Sequence, residues 1–145
     1  PESVHVALRP TPEELTEGLE GAGEELMARW ARLLEARDQV LKSLETARNE
    51  KLIGAPLEAR VVLEADGTWM PLLKQYESGL PAVFITSEVK LVESTGGADL
   101  AVTIRKAAGE KCDRCWKYTH DRGVEETLPG VCGACAGAVK EILAS

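Results

Sequence analysis

The sequence predicts an α+β protein: an N-terminal helical segment, a small four-stranded sheet with one packed helix, and a C-terminal module built on four cysteines. Three observations carry that prediction. Apolar residues recur at helical spacing through the first third of the chain. The apolar period then drops to two, as in a strand with one buried face. Two C-x-x-C pairs close the chain. The expected organisation is residues 1–55 as the helical segment, 56–108 as the α+β domain and 109–145 as the cysteine ribbon.

Each element follows in order. Thr11, Pro12 and Glu14 carry the signature of a helix start: a hydroxyl cap, a proline at the first turn and a carboxylate three residues after the cap. Gly18, Gly21 and Gly23 make the stretch after it a short helix or a loop. From Glu24 to about Lys51, Leu26, Trp30, Leu33, Val40, Leu41 and Leu44 share one helical face, and Gly54 and Pro56 end the element. Leu57, Ala59, Val61, Leu63 and Ala65 alternate with polar residues as a strand. Asp66-Gly67-Thr68 reads as a turn and helix start. Trp69, Leu72, Leu73 and Tyr76 then mark a short amphipathic helix. Residues 82–86 and 89–93 read as two further strands, Gly96-Gly97 as a hairpin turn, and 100–105 as the last strand. A short helix over 136–143 closes the chain.

Cys112, Cys115, Cys132 and Cys135 are spaced C-x2-C-x16-C-x2-C. Two residues between cysteines let one tight turn aim both sulfurs at one ion, and two such knuckles supply a thiolate tetrahedron, the geometry of structural zinc. The sixteen-residue insert is long enough for a two-stranded ribbon to bring the knuckles together. Iron is the alternative ion for four thiolates. Four protein ligands leave no open position for water, so the expected Zn2+ is structural and not catalytic. His120 reads as a surface residue of the ribbon loop, and His5 has no local partner.

The 145 residues carry a formal net charge of −7, which excludes a sequence-independent nucleic-acid coat, because such proteins draw their affinity from phosphate neutralisation. Any nucleic-acid contact has to be local. Lys111, Arg114, Lys117 and Arg122 near the cysteines could meet phosphates. They could equally offset the −2 left by four thiolates around a divalent ion. Trp116 and Tyr118 could stack on bases or shield the metal from water. Arg29, Arg32 and Lys42 on the long helix read first as a solvated face with i,i+4 partners such as Glu25 and Arg29. No apolar run approaches the ~20 residues of a bilayer span. The N-terminus lacks the basic-then-apolar pattern of a secretory signal, so a cytoplasmic monomer is expected. No phosphate-binding loop, dinucleotide fingerprint or nucleophile elbow is present.

The stretch Gly109-Glu-Lys-Cys-Asp-Arg-Cys-Trp-Lys-Tyr, followed by Val131-Cys-Gly-Ala-Cys, resembles the tail of bacterial isoleucyl-tRNA synthetases. Glu2-Ser-Val-His-Val resembles the phrase after that family's helical anticodon-binding region. Arg37-Asp-Gln-Val-Leu-Lys, Ala47-Arg-Asn-Glu-Lys-Leu-Ile-Gly and Leu57-Glu-Ala resemble the helix and first strand beyond it. The resemblance implies a non-catalytic part of an ATP-dependent isoleucine–tRNA ligase, whose HIGH- and KMSKS-type signatures are not in this chain. It implies isoleucine tRNA and the rest of the synthetase as partners. It also turns Lys111, Arg114, Trp116, Lys117, Arg122, Arg29, Arg32 and Lys42 into candidate tRNA contacts. Two rivals stay open: a zinc-ribbon adaptor that binds protein, and a formamidopyrimidine-type DNA glycosylase, which shares the Pro1-Glu2 start and a zinc ribbon.

Overall fold

A computed structural model describes Ser3 and residues 7–18, 23–94 and 99–144. The chain divides into two compact units, residues 1–34 and 35–145. In the first unit, α1 (Pro12–Thr16) starts as the sequence predicts. Thr11 Oγ1 accepts the Glu14 N–H, and the Glu14 carboxylate accepts the Thr11 N–H at 2.8 Å, so two orphan donors are satisfied reciprocally. Helix α2 (Gly23–Asn49) begins in this unit and continues into the second.

The buried stripe of α2 is Leu33, Ala36, Val40, Leu44 and Ala47, at spacings of three and four. Ala36 and Ala47 join the expected Leu33, Val40 and Leu44, whereas Leu26 and Leu41 are half-buried and Trp30 is largely outside it, 40% exposed. The helix stops before Gly54. Lys51 takes a left-handed φ of 58°, its N–H bonds to the Arg48 carbonyl, and the Leu52 N–H bonds to the Ala47 carbonyl. This is the Schellman stop, with lysine where glycine is usual.

In the second unit, β1 (Ala59–Ala65) buries Ala59, Val61, Leu63 and Ala65, every second residue as expected. The Asp66 carboxylate accepts the N–H groups of Thr68 and Trp69 and launches α3 (Met70–Gln75), which buries Met70 and Leu73. Residues 82–86, expected as a strand, are instead mostly helix. The helix α4 (Leu80–Phe84) puts Leu80 and Phe84 one turn apart, both fully buried. A five-residue apolar run fits either element by pattern alone. Here Pro81 at the first turn favours the helix, and Arg37 Nε donates to the Val83 carbonyl at 3.0 Å, satisfying one of the helix's last acceptors. Ile85 ends α4 at a left-handed φ of 57°.

The sheet therefore has three strands among the described residues. β2 (Glu88–Glu93) pairs in parallel with β1, and β3 (Leu100–Lys106) pairs antiparallel with β1, giving the order β2-β1-β3. The parallel pair requires a crossover, which α3 and α4 supply, and both pack against β2. Gly96 and Gly97 lie outside the described residues. The strands before and after them flank β1 on opposite sides, so β2 and β3 are not paired with each other as the expected hairpin requires. The core sits between sheet and helices: Val61, Leu63, Leu73, Leu80 and Phe84 are all fully buried. No described helix is long and apolar enough to cross a membrane.

Candidate functional site

The ribbon brackets the first knuckle rather than filling the insert. β4 (Glu110–Lys111) and β5 (Tyr118–Thr119) pair antiparallel on either side of Cys112–Cys115. Their approach needs Gly109, at a φ of 87°, because a Cβ there would run into the Thr119 carbonyl. The knuckle is closed by the Trp116 N–H to the Cys112 carbonyl and the Cys112 N–H to the Lys117 carbonyl, both at 2.9 Å. The second knuckle is the start of α5 (Gly133–Ala144), which begins three residues earlier than expected and carries Cys135 in its first turn. Asp121 Oδ2 accepts the Gly133 N–H at 3.0 Å. A Cβ on Gly133 would lie 2.9 Å from that same oxygen, which explains the glycine.

The four sulfurs lie within 4.8 Å of one another, and those of Cys115 and Cys132 are 3.9 Å apart. Zn–S bonds of about 2.3 Å put tetrahedral sulfurs about 3.8 Å apart, so the donor set fits such an ion. Cys112, Cys132 and Cys135 are buried with Cys115 and Val131 packed on them. Burial pushes thiols up and backbone N–H groups pull them down. At Cys112 burial opposes ionisation, but hydrogen bonds from the backbone of Cys115, Cys132 and Arg114 outweigh it and lower its pKa to about 6. Cys115 is pushed up to about 12, by burial first and then by the neighbouring thiols. Burial also raises Cys132. His120 is exposed and outside the cluster, which contains cysteines alone. His5 lies outside the described residues.

No family model matches the chain. Curated relatives do. It is 38% identical over 146 residues to the isoleucine–tRNA ligase of Geobacter sulfurreducens, which covers 95% of this chain and 15% of that protein. It is 40% identical over 146 residues to that of Halalkalibacterium halodurans, with the same shares. It is 42% identical over 119 residues to that of Thermotoga maritima, covering 79% of this chain and 13% of that protein. The chain belongs to the isoleucyl-tRNA synthetase family, as a counterpart of one part of those enzymes. It spans only about 15% of the length of the relatives it matches.

Against the synthetase frame, the cationic residues separate by what they touch. Arg122 is occupied. It bonds Glu110 at 2.8 Å, Asp113 at 3.2 Å and the Gly130 carbonyl at 3.2 Å, and so fastens the insert to the first knuckle. Arg114 donates to Cys135 Sγ at 3.7 Å, as expected of a cation offsetting a thiolate cluster. Lys111 stands 5.4 Å over the Trp116 ring, within cation–π range. Trp116 does not cover the cysteines: it is 59% exposed. Lys117 and Tyr118 are half-buried beside it. In the first unit Arg29 pairs with Glu25 at 3.1 Å and Arg32 is exposed, while Lys42 is exposed on the part of α2 in the second unit. Sequence reasoning missed Asp113, Asp121 and Ser87. Ser87 Oγ donates to the Leu57 carbonyl and accepts the Tyr118 N–H at 2.8 Å, joining sheet to ribbon. Each of these acts on a residue far along the chain, and a local pattern carries no sign of that.

Proposed function

We propose that this region is a non-catalytic, RNA-handling part of a cytoplasmic isoleucine–tRNA ligase. Cys112, Cys115, Cys132 and Cys135 hold one structural Zn2+, and the ribbon presents a stacking and phosphate-binding surface to the anticodon side of isoleucine tRNA. The metal supplies a cross-link between the two knuckles. The protein's own residues do the rest. Trp116 offers an indole face to a base, Lys111 and Lys117 supply charge beside it, and Arg114 divides its charge between the sulfurs and solvent. Arg122 belongs to the frame and not to the contact surface. Arg29, Arg32 and Lys42 are a weaker, second set of phosphate contacts.

The observation that carries this reading is Trp116. An indole that is 59% exposed and held at a left-handed φ of 64° contributes little to burial and costs backbone strain, so its value lies in what it meets outside the fold. The chain as a whole is acidic, so its own affinity is low, and linkage to the rest of the synthetase makes the contact intramolecular. The test is tRNA charging by the whole synthetase with and without residues 109–145, at matched salt. Deletion, and Trp116→Ala to a lesser degree, should raise KM for tRNA about tenfold, on the scale of one stacked base, and leave isoleucine-dependent pyrophosphate exchange intact. Equal charging kinetics would reduce the ribbon to a structural cap.

A further inference from the structure

We infer that a cleft at the C-terminal stop of α2 binds a backbone phosphate of RNA, a contact separate from the ribbon that rests on the RNA-handling reading above. The cleft encloses about 360 Å³ and is lined by Arg48, Lys51, Ile53, Gly54, Glu58 and Lys106, among others. Three of these are cations and one is an acid. The acid is committed, since Glu58 Oε2 accepts the Gly54 N–H at 2.8 Å. Arg48 pairs with Glu45 at 2.9 Å, with both side chains at least half exposed, a surface pair that water and salt weaken. Lys51 and Lys106 are exposed and have no ion-pair partner among the described residues. A chain of net charge −7 thus gathers surplus positive charge in one concave place.

Cations often follow a helix simply to complement its dipole. That accounts for Arg48 and in part for Lys51. It does not account for Lys106, which arrives from the end of β3. Nor does it explain why Lys51 holds the left-handed position of the stop, where glycine would relieve the backbone. The loop is also rigid, with Ile53 only 3% exposed and the Lys51 and Leu52 N–H groups bonded into the helix end. A guanidinium fork from the helix end, one ammonium from the loop and one from the end of β3 suit a phosphodiester. RNA is favoured over an acidic protein segment because the exposed indole and cations of the ribbon belong to the same compact unit.

The test uses the full 145-residue chain titrated with an isoleucine tRNA transcript over a range of KCl, comparing wild type, Trp116→Ala and the double variant Lys51→Gly/Lys106→Gln. The double variant should bind about tenfold more weakly near 0.1 M KCl. Its plot of log affinity against log salt should be shallower by about 1–2, because each lost phosphate contact removes roughly one unit of slope. Its Tm should be unchanged or higher, since glycine suits the left-handed site, so weaker binding cannot be blamed on unfolding. Affinity and slope equal to wild type, with Trp116→Ala still weakened, would overturn the cleft and leave the RNA-handling reading standing. No tRNA binding by wild type would overturn the cleft, and the RNA-handling reading would then be decided by tRNA charging with the whole synthetase. Amide shifts of the cleft with inorganic phosphate, without any change in tRNA affinity in the double variant, would make it a small-anion site and overturn the RNA assignment.

Discussion

The sheet and the ribbon, both in the second compact unit, are held by opposite means. The sheet buries Val61, Leu63, Leu73, Leu80 and Phe84 completely, and each such side chain contributes roughly 1.5–3 kcal/mol. The ribbon's buried cluster is Cys112, Cys132 and Cys135, with Cys115 and Val131 against it. Its strands are two residues long, and its largest aromatic faces solvent. A module that small cannot bury enough apolar area to offset chain entropy, and on the function proposed above ligation by the four cysteines takes the place of burial. The difference shows how one chain can place a rigid exposed surface on a scaffold with almost no core.

The largest break in this comparison is loss of the ligand set. Cys112→Ser, or metal removal by a chelator, should unfold the chain from about Gly109 onward and spare the sheet, because structural zinc contributes on the order of 10 kcal/mol in small metal-dependent modules. Amide exchange resolved by residue checks it. Persistent protection of β4 and β5 in the metal-free chain would show that the ribbon has a core after all. The converse change is Phe84→Ala. It should cost the sheet about 3–5 kcal/mol in denaturant unfolding, with zinc stoichiometry held at one per chain. Loss of metal together with the sheet would mean that the two regions are one cooperative unit.

A smaller effect sharpens the ribbon's side of the contrast. In the metal-free state Cys112, lowered to about 6, stabilises the fold above the ordinary thiol range, and that contribution fades as pH falls through 6. Cys115, raised to about 12, stabilises it in the neutral form below pH 9, and that contribution is lost as pH rises towards 12. At neutral pH, then, Cys115 and Cys132 hold their protons, and zinc must displace both. Affinity should rise at least about a hundredfold per pH unit between 7 and 8, because Cys115 and Cys132 alone release two protons per ion. Competition with a chromophoric chelator across that range measures it. A slope near zero would mean that the thiols are already ionised in the folded apo chain.

Features with a local cause were legible in the sequence. The Thr11–Glu14 box, the alternation of β1 and each C-x-x-C pair depend on residues within a few positions of one another; the box and the alternation stand as read, and the four cysteines lie together. What escaped depends on distant partners. Residues 82–84 form helix rather than strand because Leu80 joins Phe84 on the core side and Arg37 caps the Val83 carbonyl. The parallel pairing of β1 with β2 is a choice among strands that no single strand's pattern encodes. At the site, the sequence leaves Arg122 open between phosphate and the fold, because a basic residue near a knuckle reads the same whether or not Glu110 and Asp113 reach it.

The position of β1 at the centre of the sheet sets an order of events for the emerging chain. Its backbone is made before either neighbour, and it stays open until Glu88 and its strand, and then Arg105 and its strand, have been synthesised. Such non-local pairing is slow, because loop closure precedes its reward. The ribbon follows immediately, and its first knuckle needs only the residues on either side of it. A ribosome releasing this region thus delivers a late-forming sheet and a module whose first knuckle closes from neighbouring residues almost together.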